Sequence, residues 1–237
     1  GLLVTGGENS FALGGYYKTK LEEILPVEME LKTEGENNSL GMIMVIDRSG
    51  SMEGGNYGAS KIEMAKEACI RSLNTFMPGD CLGVIAFDDI AEWAVPFQTV
   101  QDNIDEIRMG IGSIQPGGGT SILPGLYEAY EALKNANTKQ KHIILLTDGE
   151  AEKSGYDSIL ENMNQSGITL STVAVGTGAD ASLLRRLAEQ GNGRYYFTSE
   201  FSDLPEIFAK ETLLAGKEYL NNRNFYPKQK NASAIMA

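Results

Sequence analysis

Met42-Ile43-Met44-Val45-Ile46-Asp47-Arg48-Ser49-Gly50-Ser51-Met52 is the stretch on which the reading of this chain turns. Five apolar residues, Met42 to Ile46, run into Asp47 with no polar alternation. A strand buried on one face alternates and a strand buried on both does not. The run therefore predicts a strand inside a parallel sheet covered by helices. A carboxylate, two hydroxyls and a glycine follow at once, and in open α/β sheets ligands bind just past the carboxyl ends of the strands. The Asp47-x-Ser49-x-Ser51 spacing sets three oxygen groups on one tight loop. Such a donor set suits a hard divalent cation such as Mg²⁺, which takes oxygen ligands at about 2.0–2.1 Å. Alone the pattern is weak evidence. Two later loops supply its partners.

Working outward, Lys61 to Phe76 carries Ile62, Ala65, Cys69, Leu73 and Phe76 at helical spacing, and Pro78-Gly79-Asp80 ends that helix. Cys81 to Phe87 reads as a second buried strand. The Asp88-Asp89 connection is too short for a crossover, so Ala91 to Val100 is expected to be an antiparallel edge strand. A short helix near Asn103 to Met109 precedes the glycine-rich loop Gln115 to Ser121, which contains Thr120. A helix from Ile122 to Asn135 tolerates Pro124 in its first turn. His142 to Thr147 is another buried strand, ending in Asp148-Gly149-Glu150. Asp157 and Asp180 read as helix caps. Thr169 to Val175 and Arg194 to Phe197 read as strands, and Ser202 to Leu214 as the last helix.

This alternation predicts an α/β fold: a doubly wound, mostly parallel sheet with one antiparallel edge strand and helices on both faces. Right-handed crossovers then bring the loops after Ile46, before Ile122 and after Thr147 to one edge of the sheet, where they can share a site.

The 237 residues carry a net charge of −12, which argues against nucleic acid as a partner. Cys69 and Cys81 fit no metal or redox spacing and read as small core residues. No apolar run approaches the roughly 20 residues that cross a bilayer, so direct membrane insertion by this segment is not expected. His142, the single histidine, has no evident acid or nucleophile partner, and a catalytic triad is not supported. Residues 1–39 are glycine-rich and irregular, and Thr33 to Ser39 reads as a polar linker. The main domain is expected over residues 40–214, flanked by residues 1–39 and 215–237. Gly1 to Thr5 starts abruptly, like a strand belonging to a longer chain.

Asp47, Ser49 and Ser51 in Asp-Arg-Ser-Gly-Ser-Met, Thr120 in a glycine-rich loop and Asp148 after a buried strand together resemble the von Willebrand factor type A (VWA) domain. They match its metal-ion-dependent adhesion site, and the likeness spans about Leu40 to Leu214. Residues 1–30, with Gly-Gly-Glu-Asn-Ser-Phe-Ala-Leu-Gly-Gly-Tyr and Leu-Glu-Glu-Ile-Leu-Pro-Val, resemble large bacterial membrane proteins in which such a domain interrupts a glutamine-amidotransferase-like domain. The first resemblance implies a Rossmann-like VWA fold in which Ser49, Ser51 and Thr120 touch a metal while Asp47 and Asp148 act through waters. Mg²⁺ is the implied ion, with Mn²⁺ or Ca²⁺ as substitutes. Neutral hydroxyl ligands leave the ion electrophilic, so it takes an Asp or Glu carboxylate from a protein partner, or from the same parent chain. The implied module is non-catalytic and monomeric as a fragment. The second resemblance implies a membrane-tethered parent with this domain outside the cytoplasm.

Two enzymatic alternatives stand beside this reading. Asp47 at a strand end suits a Mg²⁺-dependent phosphotransfer nucleophile. Against it, Ser49 stands where a second carboxylate is wanted, and no well-placed lysine is evident. Amidotransferase chemistry would need a thiol, and residues 1–30 contain no cysteine. Without a cation, Asp47 and Asp148 are expected to repel each other.

Overall fold

The computed structural model describes residues 39–54 and 60–216. The expected flanking segments, residues 1–39 and 215–237, lie outside those residues except at the junctions, as does their likeness to an amidotransferase-like domain.

Six strands form one sheet in the order β3-β2-β1-β4-β5-β6. They are β1 (Leu40–Asp47), β2 (Cys81–Phe87), β3 (Ala91–Thr99), β4 (Gln140–Thr147), β5 (Ile168–Val175) and β6 (Asn192–Thr198). All neighbouring pairs run parallel except β2 with β3, so the antiparallel edge strand stands where the short Asp88-Asp89 connection requires it. Every residue of β1 is buried. Its side chains alternate between two cores. Met42, Met44 and Ile46 face one layer, and Ile43 and Val45 face the other.

Three helices cover the first face: α1 (Lys61–Ser72), α2 (Ile104–Gly112) and α6 (Leu204–Ala215), through Ile62, Cys69, Ile107, Ile111, Leu204 and Phe208. The second face is covered by α3 (Ile122–Lys134), α4 (Asp157–Gln165) and α5 (Ala181–Gln190), through Leu126, Leu133, Ile159, Met163, Leu183 and Leu187. Gly125 lets α3 settle on β1, because a Cβ there would lie 2.7 Å from Val45 Cγ1. The two cysteines are free, with Cys69 buried in the first core.

Asp180 caps α5 as expected, accepting the Leu183 N–H at 3.0 Å. Asp157 does not cap α4. It is the first helical residue, preceded by Tyr156, which makes no side-chain cap and is buried instead. Burial of that ring, rather than an acceptor, fixes where the helix begins.

Chain order reverses direction across the sheet between β1 and β4. In doubly wound sheets the crevice at such a switch point is where ligands settle. Asp47 ends β1, and Asp148 follows the last residue of β4.

Candidate metal centre

Asp47 is completely buried, and both of its oxygens are engaged. Oδ1 accepts the backbone N–H of Ser49 at 2.7 Å, turning the chain sharply just after β1. Oδ2 accepts the hydroxyl of Thr147, the last residue of β4, at 2.5 Å. Burial pushes the Asp47 carboxyl above the usual carboxylate range. The bonds from Ser49 and Thr147 oppose that rise, and the nearby charge of Asp148 adds a smaller push in the same direction. The expected repulsion between the two carboxylates is thus present, but it is a minor influence.

The glycine-rich loop is held against the β1 loop by backbone bonds. Gly117 N–H donates to Arg48 O at 2.7 Å, and Gly50 N–H donates to Gly118 O at 3.1 Å. Gly118 has φ of +75°, and a Cβ there would press on Asp88. Only glycine fits comfortably at that point. From the other side, Ser121 N–H donates to Asp88 O at 2.7 Å and Gly119 N–H to Asp89 Oδ2 at 3.0 Å. Arg48 reinforces the clamp away from the site, pairing with Asp88 at 2.9 Å and Glu92 at 2.6 Å. Thr120 is therefore delivered by a loop pinned at both ends.

The two serine hydroxyls lead to Asp148. Ser49 Oγ lies 2.9 Å from Ser51 Oγ, and Ser51 Oγ donates to Asp148 Oδ1 at 2.6 Å. Gly149 leaves room beside them: a Cβ at that residue would stand 3.5 Å from Thr120 Oγ1 and 3.9 Å from Ser51 Oγ. All five residues expected at the site meet here. Asp47, Ser49 and Asp148 are buried, Thr120 is partly covered, and Ser51 is exposed. The two carboxylates and Ser49 lie deep, and Ser51 lies at the surface.

Lys61 is the residue the sequence reading missed. Its Nζ forms an ion pair with Asp148 Oδ2, overturning the expectation that no lysine stands near the site. A signal existed. Lys61 is the first residue of α1, where the helix dipole disfavours a cation unless a partner compensates. His142 is also partnered after all. Its Nδ1 lies 2.6 Å from Thr169 Oγ1 and its Nε2 lies 3.0 Å from Glu211 Oε1. His142 and Glu211 are buried among β4, β5 and α6, where they join the sheet to the helix.

The donor set consists of oxygens alone: three neutral hydroxyls backed by two carboxylates. Among the described residues no three His, Cys, Asp or Glu side chains group as a metal cluster. Hydroxyl and carboxylate donors fit a hard divalent cation better than an ion that wants imidazole or thiolate.

Sheet order, switch point and loop placement can be set beside known proteins. Residues 42–150 match the family described as von Willebrand factor type A domain. A von Willebrand factor type A structure from Catenulispora acidiphila superposes with a TM-score of 0.67 at 24% identity, covering 76% of this chain and 43% of that one. The fold is that of a VWA domain. Proximal thread matrix protein 1 from the mussel byssus, solved with a zinc-occupied MIDAS motif, shares this VWA fold with a TM-score of 0.64 at 23% identity, over 76% of this chain and 46% of that one. Among curated proteins, bovine calcium-activated chloride channel regulator 1 is 29% identical over 178 residues, covering 73% of this chain. The match takes in only 19% of that regulator's length, so this chain corresponds to one part of a much longer protein. Among the described residues, no helix is long and apolar enough to cross a membrane.

Proposed function

We propose that residues 40–214 act as a divalent-cation-dependent protein-binding module. One observation carries this reading: the Ser49 and Ser51 hydroxyls form a chain onto Asp148 at the switch point of the sheet, with the Thr120 hydroxyl beside Gly149. Ser49, Ser51 and Thr120 would hold the ion directly. Asp148 would supply charge beside it, and Asp47 would act from beneath by its charge and by fixing the turn that aims Ser49. A bound ion supplies Lewis acidity toward an outside carboxylate. Because the protein's direct ligands are neutral, that acidity is not spent on them. An Asp or Glu from a partner, or from another part of the parent chain, is the matching ligand. Mg²⁺ suits the all-oxygen donor set best, with Mn²⁺ next.

The phosphotransfer alternative is disfavoured by Asp47 itself. A nucleophile needs an accessible oxygen, and both Asp47 oxygens are buried and occupied by donors. The likeness of residues 1–30 to large bacterial membrane proteins supports a membrane-tethered parent with the module outside the cytoplasm.

Titrating Mn²⁺ into the protein, with the free ion followed by electron paramagnetic resonance, tests the reading. One ion bound per chain, lost in a Ser49→Ala/Ser51→Ala double variant, is the expected result. Equal binding by parent and variant would place the ion elsewhere and defeat the assignment.

A further inference from the structure

Lys61 has no role in the metal reading as it stands, yet it is a cation that the site already holds. Its Nζ contacts Asp148 Oδ2, while the other carboxylate oxygen accepts the Ser51 hydroxyl. The Asp148 side chain is 1% exposed and that of Lys61 32%, so the ammonium reaches the buried carboxylate from the solvent side. It also lies 5.7 Å from the centroid of the Phe201 ring. The Lys61 backbone is fixed, with its N–H donating to Gly54 O at 2.9 Å. The base of the side chain is held by the backbone, and its head by Asp148.

We propose that Lys61 is an internal competitor of the divalent cation: its ammonium neutralises Asp148 in the metal-free site and has to give up that carboxylate when an ion settles among the hydroxyls. The proposal rests on the metal-binding reading above. Like charges a few ångströms apart repel strongly when their surroundings are partly desolvated. A divalent ion held by Ser49, Ser51 and Thr120 therefore meets Lys61 across Asp148. Lysine can yield, because its long stem lets the head swing into water while the methylenes stay on apolar surface, and the Phe201 face offers a second resting place. Lys61 thus lowers metal affinity without blocking the site. It also spares the metal-free protein a buried, uncompensated carboxylate. The displaced ammonium is then free to pair with the incoming partner's carboxylate, so a ligand that brings both an ion and an acidic side chain is favoured over the ion alone.

Calorimetric titration of Mg²⁺ into the parent, Lys61→Met, Lys61→Gln and Lys61→Arg chains tests this at constant ionic strength. The two neutral variants are expected to bind Mg²⁺ at least about tenfold more tightly than the parent, while Lys61→Arg, which keeps the charge, stays within about threefold of it. Parent binding with unchanged or weaker binding in both neutral variants would overturn the proposal alone, showing that Lys61 holds Asp148 in place for the ion. Absence of Mg²⁺ binding in every chain would remove the metal reading as well. Loss of folding in both neutral variants, judged by circular dichroism, would also overturn it, because Lys61 would then be a structural ion-pair residue.

Discussion

Replacing Glu211 by glutamine should cost the fold about 3 kcal/mol at neutral pH and change how stability depends on acid. Glu211 lies on the inner side of α6 and is fully buried. Its Oε1 accepts from Ser171 Oγ at 2.6 Å and Arg194 Nη1 at 3.1 Å, and sits 3.0 Å from His142 Nε2. Its Oε2 accepts the Tyr196 hydroxyl at 2.5 Å. Burial alone would raise this carboxyl, but His142, Ser171 and Tyr196 outweigh burial and hold it at about 2, against 4.5 for an ordinary glutamate. At about 1.4 kcal/mol per pH unit, that depression corresponds to about 3 kcal/mol in favour of the folded state. Because the folded value is the lower one, the contribution is fully present above about pH 4.5 and is lost as pH falls toward 2. Urea unfolding of parent and Glu211→Gln at pH 7, 5, 4 and 3 isolates this group from other titrating carboxylates. The stability gap should be about 3 kcal/mol at pH 7 and about half that at pH 3. Equal stabilities at pH 7, or a gap that does not change with pH, would refute the view that ionised Glu211 clasps α6 to the sheet.

Gly125→Ala should lower stability by about 1–3 kcal/mol, because the new methyl would lie 2.7 Å from Val45 Cγ1 where α3 rests on β1. A melting temperature equal to the parent's would mean that α3 can lift without loss. In chelator, Asp148→Asn should lower stability by about 1 kcal/mol, since Lys61 loses its counter-ion and its side chain is only partly screened by solvent. A stability gain in chelator would show instead that repulsion between Asp47 and Asp148 outweighs the Lys61 pair.

Much of this fold is legible in the sequence because buried parallel strands carry an unbroken apolar run. The spans expected for β2 and for the start of α1 match those observed, and the others differ at their ends by a few residues. The antiparallel setting of β3 followed from loop length alone. That Asp47, Ser49, Ser51 and Asp148 lie near one another was legible too, since the loops after β1 and β4 are neighbours at the switch point of the sheet. What escaped were contacts between side chains far apart in sequence. Lys61 was not singled out, because Asp148 lies 87 residues away and the sequence does not connect the two. Glu211 was not singled out within the last helix. Its burial follows from α6 packing over the start of β4 and the middle of β5, which periodicity does not encode. His142 lacked a visible partner for the same reason. The Asp157 cap failed because a neighbouring aromatic, Tyr156, found the core first.

The central claim is that the hydroxyl cluster binds a divalent cation, and thermal unfolding in chelator and then in Mg²⁺ tests it most directly, for the parent and for Asp148→Ala. At about 100 times its dissociation constant, a ligand that binds only the folded state adds about 2.7 kcal/mol. For a chain of this size that is a rise of about 5–10 °C in melting temperature. The account predicts such a rise in the parent and none in Asp148→Ala. No shift in the parent with Mg²⁺, Mn²⁺ or Ca²⁺, even with excess acetate present to supply the outside carboxylate, would contradict it and reduce the five residues to turn chemistry.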